Sequence, residues 1–204
     1  MAYDPTTAFK NPDFDRSEWE VFIAHPGMPG AGATFHYIGE EIESMEYTVN
    51  TESNERATIA SRLPKVTNKD GGITFPAAFQ LTKGQAAYDA ILSAGLLGLV
   101  NEEFDCILLY GNVGVKENGT VVPDAPFAQK AKVKLTVTSL GGAGTEKITV
   151  TSEGRTSGDI ERGYMKLEDS GTPNYDPDNH TWKGGAFVRK SDLKVGDLVI
   201  GGAA

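Results

Sequence analysis

The stretch Phe127-Ala-Gln-Lys-Ala-Lys-Val-Lys-Leu-Thr-Val-Thr-Ser-Leu140 decides the fold class. Ala131, Val133, Leu135 and Val137 alternate with Lys130, Lys132, Lys134, Thr136 and Thr138. A period of two gives an extended chain one apolar and one charged face, whereas a helix would scatter both sets around its axis. Gly141-Gly-Ala-Gly144 turns the chain, and Thr145 to Glu153 returns with Ile148 and Val150 set against Lys147, Thr149 and Thr151. The pair reads as a hairpin of an antiparallel sheet.

Working outward, Phe104 to Tyr110 is a dense apolar run suited to a buried central strand, with Cys106 in its middle. Asn118-Gly119, between Val113–Glu117 and Thr120–Val122, predicts a hairpin turn of type I′. Further strands are expected at Glu18 to His25, Ala33 to Ile38, Glu41 to Asn50, Ile73 to Leu81 and Ile160 to Leu167, with two β-like pieces at Trp182 to Arg189 and Val195 to Ile200. Pro76 lies inside the Ile73–Leu81 run, so that strand is expected at an edge or kinked. One helix stands out, Lys83 to Leu97, with Thr82 as its cap. Ala87, Ile91, Ala94 and Leu97 form an apolar stripe at helical spacing, extended by Tyr88 and Leu92. A helix with one apolar stripe must lie on something flat, and here that is a sheet. The fold class expected is mainly β and antiparallel, with one packed α-helix at about 83–97.

Three divisions follow from composition. Residues 1–17 read as an irregular N-terminal arm anchored by Phe9 and Phe14, 18–167 as the main β domain, and 168–204 as a C-terminal extension beyond a turn-rich boundary. Residues 51–72 read as a long polar loop ending in Asp70-Gly71-Gly72, and loops of that length are usually functional or disordered.

The chain has 204 residues and a net charge of −9, placed unevenly. Residues 1–60 hold 11 acidic and 3 basic side chains, whereas residues 126–166 hold 4 acidic and 7 basic. An acidic surface repels nucleic acid, because affinity for phosphate backbones comes from Lys and Arg. The charge polarity suits head-to-tail attraction between copies. One cysteine excludes an intramolecular disulfide. The longest apolar stretches, such as Ile91 to Val100, are too short to span a bilayer, and no secretory signal is recognisable, so the expected compartment is cytosolic.

Catalytic patterns are missing. The sequence has no phosphate-binding loop GxxxxGK[ST], no GxSxG elbow and no HExxH. Glu40-Glu41 and Glu102-Glu103 are adjacent pairs that would point to opposite faces of a strand, which does not suit paired-carboxylate chemistry. His25 and His36 could meet across a hairpin and hold a metal with Glu20 or Glu40, but plain loop histidines are the simpler reading. Asp176, Asp178 and Asn179 resemble a fragment of a calcium loop, with Pro177 out of pattern and the Gly and Glu of such loops missing. No catalytic residue, cofactor or metal is expected, and function is expected to reside in strand edges and loops.

The order of segments resembles the major tail protein, or tail tube protein, of long-tailed bacteriophages. The likeness rests on Glu40-Glu-Ile-Glu-Ser-Met-Glu-Tyr47, the helix Gly84-Gln-Ala-Ala-Tyr-Asp-Ala-Ile-Leu-Ser-Ala94, the strand Phe104-Asp-Cys-Ile-Leu-Leu-Tyr110, the hairpin from Ala131 to Val150, and Thr156-Ser-Gly-Asp-Ile-Glu-Arg-Gly163. It covers roughly residues 18–165, and its weight lies in the order of these segments.

The resemblance implies an antiparallel β-sandwich with a flanking helix, assembled as hexameric rings stacked into a hollow tube through which DNA passes without tight binding. It implies a place in the virion tail, with assembly in the host cytoplasm. The partners it implies are other copies of the chain, a tape measure protein, a tail terminator and a distal tail protein, with no membrane. Glu41, Glu43 and Glu46 become candidates for an acidic lumen face. Thr51, Glu52, Asn54, Glu55, Arg56, Arg62, Lys65 and Lys69 become candidates for a loop between rings, and Tyr3, Phe9 and Phe14 for an arm between rings. Lys130, Lys132 and Lys134 argue against placing their face in the lumen. The extension 168–204 would be an added strand pair, a surface decoration or a clasp on a neighbour. Two alternatives remain at this stage. One is the inner tube of a contractile tail or tail-like bacteriocin. The other is a carbohydrate-binding β-sandwich with Tyr164, Tyr175 and Trp182 as its aromatic platform.

Overall fold

The computed structural model describes residues 19–38, 42–45, 48–56, 65–80, 84–142 and 148–200. In chain order the strands are β1 (Trp19–Ala24), β2 (Thr34–Tyr37), β3 (Ile42–Met45), β4 (Thr48–Arg56) and β5 (Lys65–Gln80). The helix α1 (Ala86–Leu96) follows, then β6 (Glu102–Glu117), β7 (Thr120–Gly141), β8 (Thr149–Thr156) and β9 (Glu161–Met165). Short strands close the chain: β10 (Glu168–Asp169), β11 (Thr172–Pro173), β12 (Tyr175–Asp176), β13 (Thr181–Lys183), β14 (Phe187–Arg189) and β15 (Leu198–Ile200). The fold is mainly β with one α-helix among the described residues, as expected.

One curled antiparallel sheet runs in the order β12-β13-β2-β1-β6-β7-β8-β5-β3, with β4 also on β5, β9 on β7, β14 on β9 and β15 on β6. The long pair β6–β7 is its spine. Asn118 and Gly119, at φ 52° and 80°, make the expected type I′ turn between them. The β6–β7 register is regular from Glu102↔Leu135 to Tyr110↔Phe127, then shifts twice before Lys116↔Val121. Gly111, Gly114, Pro123 and Pro126 fall at that break, where missing side chains and missing donors let the ladder bend. Past the bend the spine turns away from α1 and takes β15 along its edge.

Alternation sorts the spine's side chains to two faces. On one, Val21, Ile23, Phe104, Leu108, Val133, Leu135 and Val150 pack against Ala87, Tyr88 and Ile91 of α1. Of the helical stripe read from sequence, Ala87, Tyr88, Ile91 and Ala94 are buried, whereas Leu92 is half-buried and Leu97 is exposed. The helix starts at Ala86 rather than Lys83, and Leu97 is 73% exposed beyond its end. Its expected cap, Thr82, lies outside the described residues. On the opposite face Phe22, Ala24, Ile107 and Leu109 meet Phe35, Met165, Tyr175, Trp182 and Ala186. A third cluster past the bend joins Val113, Val115, Ala125, Phe127 and Tyr164. Each large side chain so buried contributes about 1.5–3 kcal/mol.

Two expectations change. The Pro76 strand is interior, not an edge: β5 pairs with β8 through Pro76↔Glu153 on one side. On its other side it pairs with β3 from Ile42↔Phe79 to Met45↔Ala77 and with β4 from Thr48↔Thr74 onward. The stretch 168–200 is also part of the core rather than peripheral to it. The stretch contains the strand pair β12–β13, which joins the main sheet through β2 and buries Trp182 completely.

Candidate functional site

The catalytic and metal candidates can be placed first. His25 Nε2 and Glu102 Oε1 are 3.0 Å apart, while His36 Nε2 lies 3.0 Å from the Pro29 carbonyl oxygen. The two histidines serve separate local contacts, and Glu20 lies on the opposite face of β1 from His25's partners, near enough to Tyr175 for its charge to raise that phenol. Asp176 forms the turn of the β12–β13 hairpin: its Oδ1 accepts from the Asp178 and Asn179 amides at 3.0 and 3.3 Å, and its Oδ2 from Asn179 Nδ2 at 2.8 Å. These bonds, that from the Asn179 side chain first, hold its carboxyl below the usual range. The calcium-like fragment is thus a turn whose oxygens are already engaged. Burial pushes the Cys106 thiol up to about 12, so it stays protonated. Among the described residues, no group of three His, Cys, Asp or Glu side chains could hold a metal ion. Among them, too, no helix is long and apolar enough to cross a membrane.

A carbohydrate platform is excluded by burial. Tyr164, Tyr175 and Trp182 are 8%, 9% and 0% exposed. The β12–β13 hairpin turns Tyr175 and Trp182 inward, ring centroids 4.9 Å apart, onto the spine's apolar face. No sugar can stack on rings that are already covered.

The assembly candidates divide into two sets. Tyr3, Phe9, Phe14, Glu41, Glu46 and Arg62 lie outside the described residues, and Glu43 is placed only as a backbone position in β3. The expected loop 51–72 is instead a ribbon. Thr51, Glu52, Asn54, Glu55 and Arg56 lie on β4, and Lys65 and Lys69 on β5. The two strands pair from Thr48↔Thr74 to Arg56↔Lys65, with one register shift between Asn50 and Glu52 and with Glu52 opposite Lys69. The ladder of β5 with β8 stops at Thr74↔Arg155. Residues 65–73 thus pair with β4 alone among the described strands, a two-stranded arm about 30 Å long. The sequence hid this because both faces of the arm are polar, which removes the alternation that marks a half-buried strand.

Beyond the ends of the covered clusters the sheet keeps a charged face. Lys132 Nζ sits 2.7 Å from Glu103 Oε1, and Ser157 Oγ donates to Glu103 Oε2 at 3.1 Å. These contacts, Lys132 first, hold the Glu103 carboxyl below and the Lys132 ammonium above their ordinary ranges. Lys134 stands opposite Glu103 in the register, and Arg155 opposite Lys134. Lys130 differs from its two neighbours, lying 5.5 Å over the Phe35 ring at the edge of the covered cluster.

Two apolar features had no counterpart in the sequence reading. The turn that ends α1 exposes Leu96 at 71%, Leu97 at 73%, Leu99 at 42% and Val100 at 69%. Backbone bonds from Gly98 to Gly95, from Leu99 to Ala94 and from Asn101 N to Thr136 Oγ1 fix its shape. Beside it a groove of about 370 Å³ runs along α1, lined by Met28, Ala90, Ala94, Leu97, Leu99 and Phe104. At the other end of β6, Val195 is 94% exposed on a short 3₁₀ turn, Val195–Asp197, held by the Asp197 carboxylate accepting from the Lys194 amide at 2.9 Å.

No protein-family model and no curated protein matches the sequence. The solved structures it is similar to are tail and tube assemblies. The tail of an empty gene transfer agent particle with C6 symmetry matches over 72% of this chain and 96% of its own, at 12% identity and a TM-score of 0.45. The SPP1 tail tube matches over 74% and 78%, at 10% identity and a TM-score of 0.49. The PVC sheath-tube complex of an extracellular contractile injection system matches over 80% and 99%, at 10% identity and a TM-score of 0.35.

Proposed function

We propose that this chain is a structural subunit that assembles with its own copies into stacked hexameric rings, forming the hollow tail tube of a virion through which DNA passes without tight binding. The observation that carries the reading is the β4–β5 arm. An isolated two-stranded ribbon is marginal in water, and this one extends about 30 Å past the sheet that supports its base. A ribbon with that length and polar composition is stabilised by a surface outside its own domain, and the neighbouring ring supplies it. The segment order shared with tail tube proteins and the acidic N-terminal third support the same reading. Thr51, Glu52, Asn54, Glu55, Arg56, Arg62, Lys65 and Lys69 then form the inter-ring contact, with Tyr3, Phe9 and Phe14 on a second arm. Glu41, Glu43 and Glu46 line the bore. The tape measure, tail terminator and distal tail proteins are the partners at the tube's core and ends, and assembly takes place in the host cytoplasm.

The test is direct. Purified chain examined by negative-stain microscopy and size-exclusion chromatography should give hollow rods or rings. A strictly monomeric species at high concentration across a range of salt overturns the proposal. The arm has its own variant, because Thr48 pairs with Thr74: residues 49–73 can be replaced by an Asn-Gly turn without displacing the sheet. That variant should keep a cooperative melt and lose rods, and rods at wild-type yield would remove the arm from the contact.

A further inference from the structure

The two apolar features lie at opposite ends of one strand. The groove includes Phe104 near the start of β6, whereas Leu198↔Val115 places the Val195 turn beside that strand's far end. The fourteen residues from Phe104 to Glu117 span about 40 Å of strand. The two patches therefore cannot meet within one molecule. They differ in shape, since the groove is concave and Val195 stands on a projecting turn. They differ in charge as well. Exposed Asp89 and half-buried Glu102 border the groove, and α1 ends beside it with no basic residue in its last turn, leaving the negative end of its dipole uncompensated. Val195 is preceded by exposed Lys194; Asp192 and Asp197 flank the turn, Asp197 accepting from the Lys194 amide, and Lys190 is paired with Glu117, so Lys194 is the cation this turn offers a partner.

We infer that a second copy of this chain inserts Val195 into the groove beside α1, with its Lys194 reaching the acidic rim at Asp89. The contact is heterologous: a knob at one pole meets a hole at the other, so each copy leaves both halves available for the next, and such contacts build rings or open stacks rather than closed pairs. A burial of this kind also accounts for four adjacent apolar side chains being held in solvent by a hydrogen-bonded turn, an arrangement that costs solubility unless it is covered. This inference rests on the self-assembly proposed above and says which surfaces meet.

Single-cysteine variants test it. Val195→Cys and Ala90→Cys chains, mixed and oxidised, should give a disulfide-linked dimer whose tryptic peptides join positions 195 and 90, and the double variant should give a ladder. Cys106 is buried and does not compete. Val195→Asp should cut the assembled fraction by about tenfold at fixed concentration while leaving the melting temperature unchanged, because Val195 is 94% exposed in the free subunit. Lys194→Glu should weaken assembly and Lys194→Glu with Asp89→Lys should restore it, a rescue that a merely structural lysine would not show. Wild-type rods together with no 195–90 linkage and normal assembly of Val195→Asp overturn the inference and leave the proposed function standing. A wild-type chain that never assembles overturns both. Linkage of a cysteine at Phe9 or Phe14 to Ala90→Cys within one chain would place the N-terminal arm in the groove and overturn it too.

Discussion

The two faces of the β1–β6–β7 layer are covered in opposite ways. Toward α1, one continuous run of 11 residues supplies Ala87, Tyr88, Ile91 and Ala94. Toward the other side, cover is assembled from pieces far apart in sequence: Phe35 on β2, Met165 on β9, Tyr175 on β12, Trp182 on β13 and Ala186 before β14. The pieces are two to five residues long and are tied together by pairing between separate parts of the chain, above all β13 with β2 and β14 with β9. The difference is between cover made locally and cover made by long-range pairing, whose loop-closure entropy must be offset before any contact forms. The C-terminal cover should therefore be the later and more fragile of the two.

The largest effect should come from removing that cover altogether. A chain ending at Leu167 would expose Phe22, Phe35, Ile107 and Leu109, all 1% exposed or less in the intact chain. It should bind a hydrophobic dye and aggregate on expression. A soluble, cooperatively melting truncated chain would make residues 168–204 a dispensable extension after all.

Point substitutions compare the two faces on equal terms. Trp182→Ala should cost about 4 kcal/mol, since Trp182 is 0% exposed and lies against Tyr175. Ile91→Ala on the helix face should cost about 3 kcal/mol. Chemical denaturation measures both. If Ile91→Ala proved the costlier, the helix and not the patchwork would be the more critical layer.

The comparison also explains what could be read without coordinates. The α1 stripe was legible because helical periodicity is written in consecutive residues, and so was the β7–β8 hairpin, whose apolar positions repeat every second residue. Trp182 was misread as an exposed aromatic because a three-residue strand carries no period, and its burial depends on β2, some 145 residues earlier. The ribbon was misread as a loop for a related reason: Thr48–Arg56 has polar residues at nearly every position, so neither face announces a core. The groove was invisible because it lies where the end of a helix, the β1–β2 turn and the start of β6 converge. The apolar run from Leu96 to Val100 was a usable signal, since Leu96, Leu99 and Val100 fall off the helix stripe and had no partner in the alternation.

Glu20 separates the two faces most finely. On β1 it alternates toward the patchwork side with Phe22 and Ala24, and it is 6% exposed, with Oε2 lacking a hydrogen-bond partner among the described residues. Burial pushes its carboxyl from 4.5 up to about 7. A carboxyl whose pKa is raised by folding favours the folded state while protonated. That advantage is complete below about pH 4.5 and is lost as pH rises through about 7, above which the charged form is held in an apolar site. Glu20→Gln keeps the shape and removes the charge, so it should be more stable than the parent by roughly 2–3 kcal/mol at pH 8 and equal to it at pH 4. Thermal melts of both proteins across that range measure the difference. A constant offset at every pH would mean that Glu20 acts through packing alone, and the patchwork face would then be as indifferent to charge as the face beneath α1.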